Sequence, residues 1–242
     1  MRRVILVPLV HDEADLGSAG PALLAETIRL AGPERWAVHT ATLTQYWAEV
    51  AAYLEDLDPS RLRLFQDGLP VGGVVGRAVV EEAARRGSRN YRLLLDLVDR
   101  GADLCATEDP ELLRQEYDIL TRETSPDRQS DAKPNADRTA ADAERRARLL
   151  RERDEHIART IDATLREGEI GVLFLGAEHR ATARLAPDIV VEPLKDAEVV
   201  RGYFQILLAR GSDKERDRLT AYLAAPIEAR DVEAGERGVP AA

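Results

Sequence analysis

One cysteine, Cys105, in 242 residues excludes a disulfide framework or a thiolate metal cluster within the chain. A reducing, cytoplasmic setting is the matching expectation. No basic excess exists either: 34 Lys and Arg stand against 44 Asp and Glu, a net charge of −10. That balance disfavours general affinity for nucleic-acid phosphates or anionic lipid, because few counterions would be released on binding. The apolar run at the N-terminus gives way to charges after about eight residues, too short for a signal or membrane segment. There is no P-loop, no GxGxxG and no GxSxG, which disfavours a nucleotide-dependent enzyme or a serine hydrolase. No internal repeat is present.

What the sequence does contain is globular: 44% hydrophobic and 32% charged residues, enough to bury a sizeable core. Val4 to Val10 is nearly continuous in β-branched residues and Leu, the pattern of a strand buried on both faces. Further strands are predicted over Arg61 to Phe65, Ala102 to Ala106, Ile170 to Leu175 and Asp188 to Val191. Helices are predicted over Pro21 to Leu30, closed by Gly32 and Pro33; Leu43 to Leu57; Ser88, as a cap, to Gly101; from Pro110, with Leu112, Leu113, Tyr117 and Leu120 facing inward; and Thr139 to Glu167. Val199 to Ala209 reads as strand or helix. Glu123 to Arg138 has no Val, Ile, Leu, Phe or Met and reads as a mobile polar insertion. Alternating strands and helices predict an α/β fold, an open, mostly parallel sheet flanked by helices. One domain over 1–225 is expected, with the insertion 123–138 and a frayed tail, 226–242.

In such a sheet ligands bind beyond the carboxyl ends of the strands. Polar groups follow four predicted strands there: His11 with Glu13, Asp67, Glu108 with Asp109, and Glu178 with His179. His179 comes after a wholly apolar strand and Gly176, a combination that holds its imidazole close to the end of the sheet. His39 and His156 read as ordinary surface or helix histidines. Asp154 interrupts the apolar stripe Leu150, Ile157, Ile161, Leu165 on the long helix, so it must be paired or lie at the lip of a pocket. Arg153 beside it reads as its partner or as a group that meets a substrate anion. Imidazoles and carboxylates together suit general acid–base work on water, or a divalent metal that lowers the pKa of a bound water. His11, Glu13, Asp67 and His179 are the candidate metal ligands.

The run RDEHIARTIDATLREGEIGVLFLGAEH, which begins at Arg153, combines Arg-Asp on a helix, a Gly, an apolar strand and Gly-x-x-His. It resembles the superfamily of erythromycin-esterase-like, ChaN-like and TraB-like proteins. VPLVHDEAD and FQDG stand where that superfamily carries its other His and its carboxylate, although Pro8, Leu9 and Val10 replace a glycine-containing lead and Asp67 replaces the usual Glu. The resemblance implies a parallel α/β core and a site made of His11, Asp67, Arg153, Asp154 and His179. It also implies an activity within a range of esterases, metal-dependent peptidases and haem-binding proteins. With Glu108 added to these residues, the expectation is a hydrolase of an ester or peptide-like substrate, metal-assisted or not. The alternative is a protein that binds haem or another small molecule without turnover. The partner expected is a small-molecule or peptide-like substrate, without general nucleic-acid or membrane binding; a homo-oligomer is left open.

Overall fold

A computed structural model describes residues 1–10, 28–29, 32–124, 136–208 and 213–228. Its centre is a five-stranded, all-parallel sheet of β1 (Arg2–Leu9), β2 (Leu62–Gln66), β3 (Asp103–Leu104), β4 (Ile170–Gly176) and β5 (Ile189–Pro193). The strands lie in the order β3-β2-β4-β1-β5. Central β4 runs beside β1 from Arg3↔Ile170 to Leu9↔Gly176, and beside β2 from Leu62↔Ile170 to Gln66↔Phe174. The carboxyl ends of β2, β4 and β1 thus come level at one edge of the sheet.

Seven helices flank the sheet among the described residues: α1 (Pro33–Glu55), α2 (Gly73–Arg85), α3 (Arg89–Asp99), α4 (Pro110–Thr124), α5 (Ala136–Thr164), α6 (Ala197–Leu208) and α7 (Asp213–Ala224). Strand residues alternate between two cores, which is why β1 and β4 carry apolar groups at nearly every position. Ile5, Val7, Leu9, Leu64, Val172 and Phe174 face α1, α3, α6 and α7 through Tyr46, Trp47, Val50, Leu94, Tyr203 and Leu219. Val4, Leu6, Phe65, Leu173 and Leu175 pack against Ile157 and Ile161 of α5 and Leu165 just beyond its end. Among the described residues, this second core is covered mainly by α5. The buried stripe of α5 runs Leu149, Arg153, Ile157 and Ile161, continued by Leu165 just past its end, with Asp154 and Ala158 alongside.

Several elements differ from the sequence expectation. The Gly32–Pro33 pair opens α1, ten residues before the predicted start at Leu43, because proline is at home in a first helical turn where its missing N–H costs nothing. Strand β3 shrinks to Asp103–Leu104, and the ambiguous segment from Val199 is helical. Helices α2 and α7 have no counterpart in the prediction; the Gly–Val composition of α2 conceals a buried face of Gly76, Val80 and Ala84 at four-residue spacing. On α4, Tyr117 faces outward, 65% exposed. Leu149, rather than Leu150, is the buried leucine of α5. His39 is buried, not superficial: its Nδ1 lies 2.9 Å from the Tyr203 hydroxyl, and burial pulls its pKa down to about 4. Ser88 does cap α3, its side chain accepting from the Tyr91 N–H. Most of the Pro21–Leu30 helix, residues 125–135 of the insertion and the tail beyond 228 lie outside the described residues, while Glu123 and Thr124 end α4 and Ala136 to Arg138 open α5.

The start of α2 is fixed by close backbone approach. A Cβ on Gly72 would stand 2.6 Å from the Leu104 carbonyl oxygen and 2.7 Å from the Ala106 nitrogen. Gly72→Ala must therefore push α2 away from the end of β3. The expected loss is about 1–3 kcal/mol, seen as a fall in melting temperature on the order of 2–12 °C for a chain of this size. A thermal melt followed by circular dichroism checks it, and an unchanged midpoint would show that the contact relaxes freely.

Candidate functional site

The residues that follow β2, β3 and β4 converge with the buried stripe of α5. Asp67 is the residue after β2; its backbone N–H extends the ladder to the Phe174 carbonyl at 2.9 Å. Its Oδ2 accepts from the Gly176 N–H at 2.9 Å, and its Oδ1 from Arg153 Nη2 at 2.6 Å. Glu108 follows β3 in a turn where its N–H and that of Thr107 both reach the Leu69 carbonyl. Its carboxylate takes Arg153 Nη2 at 2.5 Å on Oε1 and Nε at 3.3 Å on Oε2. From α4, Glu116 Oε2 accepts from Arg153 Nη1 at 2.5 Å.

His179 is placed by the turn after β4, where its N–H donates to the Gly176 carbonyl at 3.0 Å. Its Nδ1 lies 2.7 Å from Asp154 Oδ1, while Asp154 Oδ2 accepts from the Arg180 N–H at 3.0 Å. A carboxylate at Nδ1 assigns the hydrogen to that nitrogen and leaves Nε2 as the working atom. Nε2 is 3.5 Å from Asp67 Oδ2, too long for a good hydrogen bond, but roughly the separation of two ligands on one tetrahedral zinc ion with 2.0–2.2 Å bonds.

Three titrations are displaced. The Glu108 carboxyl is held above the usual carboxylate range, because burial penalises its charge more than Arg153 relieves it. For His179 burial works against the imidazolium, yet the hydrogen bond to Asp154 and the charge of Asp67 carry its pKa above the ordinary value. Burial likewise opposes the Arg153 charge, but the bond to Glu108 and the charges of Asp67 and Glu116 keep the guanidinium firmly protonated. Among the described residues, four carboxylates here face one guanidinium and one imidazole.

This excess of negative charge favours taking up a proton or a cation. Asp67, Glu108 and His179 each offer a ligand atom, all within 4.8 Å of one another. The buried trio could hold a metal ion. One nitrogen and two oxygens suit a borderline divalent ion such as zinc or manganese, and Asp154 supplies the outer partner that metal-binding histidines require. Arg153 already bridges two of the carboxylates, so an ion between them must share or displace its Nη2 contacts.

Asp67, Glu108, Arg153, Asp154 and His179, selected from sequence, therefore lie together. Arg153 makes four hydrogen bonds to three protein carboxylates, those of Asp67, Glu108 and Glu116, at 4% exposure. Asp109 caps α4, accepting from the N–H groups of Glu111 and Leu112. Glu178 points outward and pairs with Arg201. His156 Nδ1 is 3.9 Å from Asp109, and His156 is not among the three residues whose ligand atoms converge. His11 and Glu13 lie outside the described residues. Glu116 is the residue that sequence reasoning missed, though it stands three residues after Leu113 and four after Leu112 on the inward side of α4, the same interruption of an apolar face that identifies Asp154. No helix among the described residues is long and apolar enough to cross a membrane. No family model, curated protein or solved structure matches the chain.

Proposed function

We propose that this protein is a hydrolase of the erythromycin-esterase-like, ChaN-like and TraB-like superfamily, acting on an ester or peptide-like substrate with a divalent metal at Asp67, Glu108 and His179. The observation that carries the reading is the convergence of these three side chains, with His179 Nδ1 held by Asp154 at 2.7 Å so that Nε2 is presented to the site. Asp154 fixes the ring and its tautomer. Asp67 and Glu108 supply negative charge that favours a cation, and Arg153 with Glu116 limits how far that charge is overcompensated. A bound metal would supply a water of lowered pKa and a Lewis acid for the carbonyl oxygen. His11, next in sequence after Val10, is included as a further ligand or base on the strength of the resemblance.

The charge balance also orders substrates. With Arg153 committed to protein carboxylates, anionic substrates meet repulsion, and neutral or cationic ones are preferred.

Purified protein, stripped of metal and then given zinc or manganese, is to be assayed against neutral, cationic and anionic esters and peptides. Metal-dependent turnover of the neutral or cationic members is expected, with His179→Ala and His11→Ala each lowering it by about 100-fold or more. If both variants keep the wild-type rate, the reading is wrong.

A further inference from the structure

Strand β3 ends at Leu104, yet Glu108 has to stand beside Asp67 with no strand ladder to hold it there. Cys105 N–H makes the last main-chain rung, to the Leu64 carbonyl at 2.9 Å. At the next rung a side chain takes over: the Gln66 N–H donates to Thr107 Oγ1 at 2.9 Å, and that hydroxyl donates onward to the Cys105 carbonyl at 3.3 Å. Thr107 is fully buried. Its own N–H is tied to the Leu69 carbonyl, as is that of Glu108. Gln66 immediately precedes Asp67, and Thr107 immediately precedes Glu108. One hydroxyl thus joins the residues immediately before the two carboxylates, Gln66 and Thr107, and those carboxylates meet on the same nitrogen of Arg153, at 2.6 and 2.5 Å.

We infer that Thr107 is the positioning residue that sets the separation of Asp67 and Glu108, so that its hydroxyl governs how well the pair receives a cation. The inference rests on the proposed metal site for its binding consequence, whereas the geometry it concerns is independent of any metal. A valine at this position keeps the shape of threonine but removes the acceptor of the Gln66 N–H. Serine restores the hydroxyl.

The test uses the full chain and two measurements. Titration with manganese ion, followed by its electron paramagnetic resonance signal, should show about tenfold weaker binding by Thr107→Val, within the 10–100-fold range for outer partners of metal ligands, and recovery by Thr107→Ser to within about threefold of wild type. Without metal, hydrogen exchange of the Gly176 amide, which reports Asp67, and of Arg153 Nε–H, which reports Glu108, should accelerate by roughly tenfold in Thr107→Val, the effect of losing one net hydrogen bond. Exchange along the β1–β5 ladder should not change, and serine should again restore the wild-type rates. If wild type binds no manganese but the exchange pattern appears as described, the metal reading falls and the positioning role stands. If Thr107→Val binds manganese and exchanges like wild type, Thr107 does not position the pair. Should the valine variant fail to fold, Thr107→Cys, with a weak thiol in place of the hydroxyl, must fall between serine and wild type on one side and complete loss on the other; a cysteine variant indistinguishable from wild type overturns the inference.

Discussion

Replacing Arg153 with methionine is expected to destabilise the protein by about 3–5 kcal/mol at neutral pH, the cost of stripping the partner from buried charges. Glu108 and Asp67 would lose the nitrogen they share, and Glu116 its ion pair. Methionine fills much of the volume of the arginine stem, so lost packing is a minor part of the effect. The loss should shrink as the pH falls, because protonating the orphaned carboxyls removes their mutual repulsion. Glu108, whose pKa burial already raises, takes up its proton first. Arg153→Lys should recover only part of the loss, since a compact ammonium cannot bridge three carboxylates with a planar fork. Urea unfolding at pH 5 and pH 8 measures all of this. A divalent ion that occupies the trio should restore stability to Arg153→Met by mass action, the gain growing with the logarithm of its concentration over the dissociation constant. A variant within about 1 kcal/mol of wild type at both pH values would mean that the cluster is largely protonated already.

The sequence shows why some of this centre was legible and some was not. Asp154 could be read because a carboxylate in an apolar helical stripe demands a partner, and His179 because a glycine and an apolar strand fix where the chain turns. Both arguments concern a single element. The partners of Arg153 were not legible: sequence places a cation near the strand ends without saying which side chains it meets, and the three carboxylates that it pairs with come from separate segments. Glu116 required knowing which side of α4 meets α5, and Tyr117, the more apolar neighbour, drew the periodicity to the wrong residue. Thr107 carries no pattern at all. Its importance arises because β3 stops after two residues, a fact of pairing rather than of propensity. The same distinction applies to the fold: β1 and β4, buried on both faces, announce themselves, whereas α2 depends on Gly72 and Gly76 fitting against the end of β3 and Val71, contacts that no composition reveals.

Asp154→Asn is expected to uncouple His179 from the site while leaving the volume of the side chain intact. In the native arrangement both carboxylate oxygens accept, one from His179 Nδ1–H and the other from the Arg180 N–H. An amide has one oxygen for these two donors. If that oxygen stays with Arg180, the amide nitrogen donates to Nδ1, the hydrogen moves to Nε2, and the atom needed for metal or proton transfer is blocked. Metal uptake should weaken by about 10–100-fold, and the His179 pKa should fall, because the hydrogen bond that does most to raise it in the wild type is gone. The pH dependence has a definite sign. A histidine whose pKa is raised by folding contributes stability in full below its unfolded value, about 6.5, and the contribution fades as the pH climbs through the folded value. The stability gap between wild type and Asp154→Asn should therefore be widest near pH 5.5 and narrower at pH 8.5. Metal binding runs the other way: the ion competes with the Nε2 proton, so wild-type affinity should drop toward tenfold per pH unit below the folded pKa, with a proton released on binding. Calorimetry in buffers of different ionisation enthalpy counts that proton. Binding that neither releases a proton nor varies between pH 5.5 and 8.5 would exclude His179 as a ligand, and would leave the raised imidazole as a purely electrostatic partner of Asp154 and Asp67.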